Sequence, residues 1–251
     1  MTANIDNGLL LAGDVYARNR RTGGNARKIG NTTSLTIASE SETKERISRQ
    51  KATYGQALDT VILKGKTTVK FTLNTLNKET LAMVLLGDSV LLDAAEQNIK
   101  NESVAVSELG AWLHLANDNI QADSVVVKSA SGASVAADDI EVNSVLGWLK
   151  ISATCQSVQA GESITVNYKT QAGGGLQINA LTLSDYDLEL WVDGFNLASQ
   201  KNVSLHIPSA VVAPTSEIDW FNPDFADVEF GGNVVLADGF KSPYVYKEFN
   251  A

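Results

Sequence analysis

The amino-acid sequence predicts a mainly β protein: an antiparallel β-sandwich or curved sheet with one flanking helix, plus an inserted small β-sandwich domain. Two observations support this fold class. Short segments in which apolar and polar residues alternate with period two recur along the chain, and clusters of turn residues separate them. A helical pattern of comparable strength occurs only once. With 251 residues, of which 44% are hydrophobic, the chain is long enough to bury roughly three-quarters of its unfolded surface.

The first predicted strands enclose a charged, polar segment. Ser34–Ala38 alternates, the pattern resumes at Val61–Leu63 and Thr68–Leu73, and residues 39–59 between them are predicted as a long loop. Hairpin loops usually have about 2–5 residues, and much longer ones are typically functional or disordered. Because apolar residues are few here, we expect the segment to be mobile alone and ordered by a neighbouring subunit. The contact residues that we assign are Glu40, Glu42, Lys44, Glu45, Arg46, Arg49, Lys51 and Tyr54.

The same segment permits a second interpretation as a short solvated helix. Glu40 and Lys44 stand four residues apart in the favourable order, and two further acid–base pairs do the same. Each pair stabilises a helix by only about 0.2–0.5 kcal/mol, so an isolated helix here would be mostly unfolded. Both interpretations agree with ordering by another subunit.

One helix is predicted after the strand that ends at Leu73. Asn77 is its N-cap, residues 78–86 supply helix formers, and Gly87 is expected to end it as a left-handed residue. Residues 90–97 are a second, short helix candidate.

Residues 101–171 contain five short strand patterns separated by turn signals. Such close spacing predicts an inserted immunoglobulin-like β-domain. The triple glycine Gly173–Gly175 is interpreted as its exit linker. The predicted domains are therefore residues 1–99 together with 173–251, which form the main β-domain, and residues 101–171.

Beyond the glycines the alternation resumes. In one strand, Tyr186, Leu188 and Leu190 alternate with Asp187 and Glu189, which indicates one buried and one wet face. The four strands predicted in this part of the chain are Leu176–Leu183, Asp185–Val192, Val203–Ile207 and Val228–Leu236.

The final stretch, Pro214–Ala251, mixes acids with aromatic residues and shows one regular strand pattern. This composition predicts a terminal arm that docks on a partner. The aromatic residues concerned are Trp220, Phe221, Phe225, Phe230 and Phe240.

The formal net charge of −9 is unevenly distributed. Basic residues and no acids lie between positions 18 and 28, and the rest of the chain is strongly acidic. Tight nucleic-acid binding needs clustered lysine and arginine, so an acidic body argues against it. We interpret the basic cluster as pairing with acids of its own or an adjacent subunit. Its members are Arg18, Arg20, Arg21, Arg27 and Lys28.

Cysteine content and apolar runs predict the compartment. The one cysteine, Cys155, excludes an internal disulfide and is typical of a protein that folds in a reducing cytoplasm. The N-terminal residues lack the charge order and apolar core of a secretory signal, and no apolar run is long enough to span a bilayer. We expect a soluble protein with no membrane partner.

No catalytic, cofactor-binding or metal site is predicted. His114 and His206 each lie inside a strand pattern, without a second ligand at the spacing of a metal site. Nucleophile-elbow, Walker and Rossmann patterns are absent from the sequence. The tryptophans are scattered along the chain, at Trp112, Trp148, Trp191 and Trp220.

Short matches along most of the chain resemble the major tail tube proteins of long-tailed bacteriophages. The segments that carry this resemblance are Gly13–Tyr16, Gly30–Ile37, Tyr54–Asp59, Phe71–Asn77, Leu81–Gly87, Asp139–Val142, Gly147–Trp148 and Ile207–Pro214.

The resemblance implies a structural virion protein without enzymatic activity or cofactors. Subunits would form rings, commonly hexameric, which stack into a tube around a tape-measure protein, and viral DNA would pass through the lumen without specific binding. Residues 39–59 would bridge adjacent rings, and each curved sheet would extend a barrel that lines the lumen. Asp187 and Glu189 are the candidates for the lumen face. The inserted domain is expected outside the tube, and assembly in the bacterial host cytoplasm.

Two other functions stay open. One is a different virion β-sandwich protein, such as a tail terminator, a head decoration protein or a baseplate subunit. The other is a carbohydrate-binding module of a bacterial surface protein, which would need secretion and exposed aromatic residues clustered on one sheet.

Overall fold

The computed structural model describes residues 8–249, which divide into two compact units. The first unit comprises the chain up to Val90 and again from Ile178, and the second comprises Leu91–Gln177. Strands account for 52% of the residues and helix for 5%, with antiparallel sheets and one flanking α-helix. The predicted mainly-β fold class is therefore confirmed.

Within residues 8–249 strands make up nearly all of the regular structure, and a single α-helix interrupts them after the fourth strand. In chain order the elements are β1 Leu11–Asn19, β2 Arg27–Lys28, β3 Thr32–Ile47, β4 Ala57–Leu73, α1 Lys78–Val84, β5 Asp88–Ala94, β6 Asn98–Ala105, β7 Trp112–His114, β8 Val126–Lys128, β9 Ile140–Asn143, β10 Trp148–Ile151, β11 Ser163–Lys169, β12 Gly173–Asn179, β13 Tyr186–Asn196, β14 Lys201–Pro214, β15 Val228–Val234 and β16 Val245–Phe249, with 3-10 turns at Ala122–Ser124 and Ala137–Asp139.

The first unit is built on one antiparallel sheet in the order β2-β1-β13-β14-β15-β4-β3, and β16 also pairs with β14. The predicted buried face of β13 is confirmed, because Tyr186, Leu188 and Leu190 are all buried. On neighbouring strands Phe71 and Phe230 stack with their ring centroids 5.0 Å apart. These side chains share one apolar cluster that α1 helps to cover.

A bulge at Pro208 lets β14 continue well beyond its predicted end at Ile207. Leu188 pairs with Ala210, but Leu190 pairs with Ile207, so Pro208 and Ser209 together oppose one residue of β13. Proline donates no ladder hydrogen bond and is therefore found inside sheets mainly at bulges. On the N-terminal side of the bulge β14 pairs with β16, and on the C-terminal side it pairs with β15.

Helix α1 begins as predicted. Asn77 accepts a hydrogen bond from the Thr80 backbone N–H at 2.9 Å, and the Thr80 hydroxyl accepts one from the Asn77 backbone N–H at 2.8 Å. The predicted end is wrong in detail, because Leu86 and not Gly87 has the positive φ, of 49°. Gly87 is needed for a different reason: a Cβ there would lie closer than 3.0 Å to the Asn179 carbonyl oxygen.

Two predictions fail in the segments where the chain passes from one unit to the other. Residues 90–97, a helix candidate, mostly belong to β5, and the Gly173–Gly175 linker is the start of β12, which pairs with β5. Glycine and short apolar runs are weak signals alone, and pairing between strands distant in sequence decides their conformation.

The second unit contains two three-stranded antiparallel sheets, β7-β10-β9 and β6-β11-β8, whose apolar residues share one core. Its five predicted strands are present, and β6 is additional. Tyr168 is buried, donates from its hydroxyl to Glu102 Oε2 at 2.6 Å and accepts from Asn117 Nδ2 at 2.9 Å. This unit begins earlier and ends later than the predicted segment 101–171.

Candidate assembly surfaces

The segment predicted as a loop is a β-hairpin. Residues 39–47 belong to β3 and residues 57–59 to β4, so the predicted loop is confined to residues 48–56, and no helix forms. Sequence reasoning missed the strands because both faces are wet, which removes the alternation that marks a half-buried strand. Here the backbone ladder, and not burial, holds the strands together.

We call residues 39–66 the hairpin arm. A register shift opposite Glu40 marks its base, where a Cβ on Gly65 would clash with the Glu40 carbonyl. From Ser41, which pairs with Lys64, the ladder runs to Ile47, which pairs with Ala57. At about 3.4 Å per residue this part is roughly 20 Å long. Every side chain of the arm is exposed except those of Ser48 and Thr53 in its turn.

The arm presents apolar and charged side chains together. Ile62 is 70% exposed and Tyr54 68%, and the remaining apolar residues exposed here are Ile47, Leu58, Val61 and Leu63. Across the strands Arg46 pairs with Asp59 at 2.5 Å. Exposed pairs of this kind contribute about 0–1 kcal/mol, and an isolated two-stranded hairpin is marginal in water.

The eight assigned contact residues all lie on this arm, in strand or turn. Glu40 pairs with Lys66 at 3.6 Å and Glu42 with Lys44 at 3.5 Å. Arg46 pairs with Asp59, as described above. The remaining charged members form no ion pair within residues 8–249: Glu45, Arg49 and Lys51. The arm therefore carries both unpaired charges and exposed apolar groups.

A second surface lies where β1 pairs with β13. Asp187 and Glu189 occupy the face opposite the core, but arginines of the basic cluster cover them. Arg18 forms an ion pair with Glu189, and Arg20 pairs with Asp187 at 2.9 Å. Glu189 also contacts His206 Nε2 at 2.8 Å and is only 8% exposed. The expected wet, acidic face is thus wrong for Glu189, and paired charges replace it.

The rest of the basic cluster is paired in the same way, as predicted. Arg21 pairs with Asp185, and hydrogen bonds from the Ser184 hydroxyl and the Arg21 guanidinium hold the pKa of Asp185 below its usual value. Arg27 pairs with Glu79, and Lys28 pairs with Asp14, each at 2.6 Å. All five cations are therefore matched within one subunit.

The third surface consists of the two edges of the large sheet. At one edge, β3 pairs with β4 and with no other strand among the described residues. At the opposite edge β2 protects β1 only at Tyr16 and Ala17. An open edge exposes a row of backbone donors and acceptors that another chain can satisfy.

Groups of three or more potential metal ligands do not occur within residues 8–249. Cys155 is buried, and both histidines contact tryptophans: His114 with Trp148 and His206 with Trp191. No helix in the described part of the chain is long and apolar enough to cross a bilayer.

Comparison with known proteins gives one family. A search of the curated proteins finds no match. One family profile, described as "Protein of unknown function UCP028589", matches residues 9–243, which is most of the chain. The chain therefore belongs to this family.

Proposed function

We propose that this chain is a structural virion protein that self-assembles as stacked rings into the tail tube of a long-tailed bacteriophage and forms the channel for DNA ejection. The hairpin arm is the observation that carries the proposal. It extends roughly 20 Å beyond its sheet and buries almost none of its side chains on its own subunit. Its exposed apolar groups and unpaired charges suit a contact with the next ring.

The open edges support a ring. Copies placed side by side in the same sense would bring the β3 edge of one to the β1 edge of the next. Such pairing satisfies both edges and continues the sheet around a lumen, in the way that barrels remove edges. A ring of six subunits, with tape-measure protein and DNA inside, is part of the proposal.

The paired charges support a lumen that DNA can pass without sticking. Phosphate binding needs free lysine or arginine, but Arg18 and Arg20 are already held by Glu189 and Asp187. In place of the repulsion expected from uncovered acids, this face offers DNA neither strong attraction nor strong repulsion.

Electron microscopy tests the proposal. Negative-stain images of the concentrated full-length protein are expected to show hollow tubes with a regular axial repeat. A chain that yields only globular particles at every concentration would contradict the proposal and favour another virion β-sandwich protein, such as a tail terminator, a head decoration protein or a baseplate subunit.

A specific observation also favours carbohydrate binding by the second unit. The tryptophans are less scattered than expected. The ring centroids of Trp112 and Trp148 lie 6.4 Å apart on the outer face of one sheet, and the His114 ring centroid lies 4.5 Å from that of Trp148. Lys150 Nζ lies 4.8 Å from the Trp112 ring centroid. Aromatic faces beside hydrogen-bonding groups are a common arrangement for ligand recognition.

Titration with bacterial surface oligosaccharides tests this second candidate through tryptophan fluorescence. Binding that Trp148→Ala abolishes, and that Leu146→Ala at a neighbouring exposed position leaves unchanged, would support it. Equal signals from the two variants would contradict it.

A further inference from the structure

An acidic, aromatic loop connects β14 to β15, and we call residues 215–227 the aromatic loop. Phe221 is 94% exposed and Phe225 93%, and Trp220 is also exposed. Large aromatics exposed together on a monomer mark an interaction site. The loop contains no lysine or arginine, and its four acids are exposed and form no ion pair within residues 8–249: Glu217, Asp219, Asp224 and Asp227.

The aromatic loop is shaped by local hydrogen bonds and is held at its base. The Asp219 carboxylate accepts from the Phe221 backbone N–H at 3.0 Å, and the Asn222 side chain accepts from the Asp224 backbone N–H at 3.0 Å. Ile218 packs on the apolar core of the first unit. The loop therefore presents its aromatic residues from a defined turn.

The end of the hairpin arm has the complementary character, and we call residues 47–56 the arm tip. Arg49 and Lys51 are exposed there, and the tip contains no acid. Unlike the five cations of the basic cluster, these two form no ion pair within residues 8–249. Ile47 and Tyr54 expose apolar surface beside them. Free cations next to apolar groups suit a partner that offers carboxylates and aromatic faces.

The arm tip and the aromatic loop lie at opposite ends of the same strands. At the base of the loop Val228 pairs with Leu73, the last residue of β4, and at the tip Ile47 pairs with Ala57, the first. Strand β4 has 17 residues and is therefore roughly 55 Å long. A loop of this length that returns to its base reaches at most about 20 Å. Within residues 8–249 no hydrogen bond or ion pair joins the two, so each is free to contact another subunit.

From this complementarity we propose that the aromatic loop of one subunit receives the arm tip of a second copy of this chain, with Arg49 and Lys51 against its carboxylates and aromatic rings. The proposal rests on the stacking of rings proposed above and names the surface that the arm contacts in the next ring. Copies stacked head to tail along the strand direction bring the tip of one to the loop of the next. Because the two surfaces differ, the contact is heterologous and repeats along an open filament.

Charge reversal in the full-length chain tests the docking. The tip variant is Arg49→Glu with Lys51→Glu, and the loop variant is Glu217→Lys with Asp224→Lys. All four side chains are exposed and form no ion pair within residues 8–249, so circular dichroism should show the wild-type fold. Each variant brings like charges together at the contact. The protein concentration at which tubes form, measured by sedimentation and negative-stain microscopy, should rise roughly tenfold or more.

Combining the tip and loop variants in one chain provides the decisive measurement. The combined chain has an acidic tip and a basic loop, so opposite charges meet again and tube formation should return towards the wild-type concentration. A combined chain as impaired as the single variants would overturn the docking, as would either single variant that assembles like the wild type. Matched reversals of exposed charges in the second unit should leave assembly unchanged: Lys100→Glu with Lys128→Glu, and Asp118→Lys with Asp138→Lys.

The aromatic side chains of the loop are tested separately. Phe221→Ser with Phe225→Ser keeps the charge of the loop and removes the apolar surface that Ile47 and Tyr54 would contact. Tube formation should fall as it does in the loop variant, and Leu146→Ser at an exposed position of the second unit is the matched control. Equal assembly of this variant and its control would also overturn the docking.

Failure of the docking and failure of the tube proposal give different results. Wild-type tubes that also form from the tip and loop variants contradict the docking alone. Wild-type oligomers that never become tubes, that each variant loses and that the combined chain regains in sedimentation velocity, contradict the tube and support the docking. A wild-type chain that stays monomeric at every concentration contradicts both.

Discussion

Excision of the hairpin arm should abolish tube formation and leave the first unit folded. The variant replaces residues 42–63 by Asn-Gly, a two-residue turn suited to antiparallel strands, and keeps the pair Ser41–Lys64 at the base. Because the arm buries almost none of its side chains, little hydrophobic stabilisation is removed.

The expected stability change is small because its contributions oppose one another. Shortening the connection about tenfold reduces the entropy of loop closure by about 2 kcal/mol. The lost ion pair Arg46–Asp59 is exposed and contributes at most about 1 kcal/mol, and the hairpin itself is marginal. The free energy of unfolding should therefore stay within about 2 kcal/mol of the wild-type value, well below the total for a domain.

Urea unfolding followed by tryptophan fluorescence measures stability, and negative-stain microscopy measures assembly. A matched pair of point variants separates loss of apolar contact from disturbance of the strand. Ile62 and Thr43 oppose each other on the arm, so Ile62→Ser should shorten or abolish tubes and Thr43→Ser should not. Tubes of wild-type length from the excised chain would refute the role of the arm.

Three further predictions concern stability and use urea unfolding. Gly87→Ala should lower the free energy of unfolding by about 1–3 kcal/mol, because the added Cβ would clash with the Asn179 carbonyl oxygen. Gly173→Ala is the control, because a Cβ there contacts no atom. Equal effects of the two variants would contradict the prediction. Glu189→Gln should lower the free energy of unfolding by about 1 kcal/mol, because it removes the buried carboxylate charge that pairs with the partly exposed Arg18 and His206. An unchanged urea midpoint would count against this prediction. Burial raises the pKa of Tyr168, so its contribution to stability is complete below about pH 10 and is lost as the pH rises through the raised value. Tyr168→Phe should reduce the alkaline loss of stability, to which Tyr186 also contributes because burial raises its pKa too, and a loss of unchanged size would disprove the assignment.

The start of α1 could be predicted from the sequence because it depends on contacts between residues that are close together in the chain. Asn77 and Thr80 stand three residues apart, and their reciprocal hydrogen bonds form within one turn. The end of the helix could not be predicted in the same way. Gly87 approaches Asn179, and a contact between residues so far apart in sequence leaves no local pattern.

The mainly β class and the buried face of β13 could be predicted from the sequence, and so could the pairing of the basic cluster with carboxylates, because alternation and charge are local properties. That residues 39–47 continue β3 is visible only in the folded chain, since a strand exposed on both faces has no alternation. The ion pair of Arg18 with Glu189 and the ring contact of Trp112 with Trp148 are likewise visible only in the folded chain. Strand register brings these residues together across long separations, and register depends on the packing of the whole sheet.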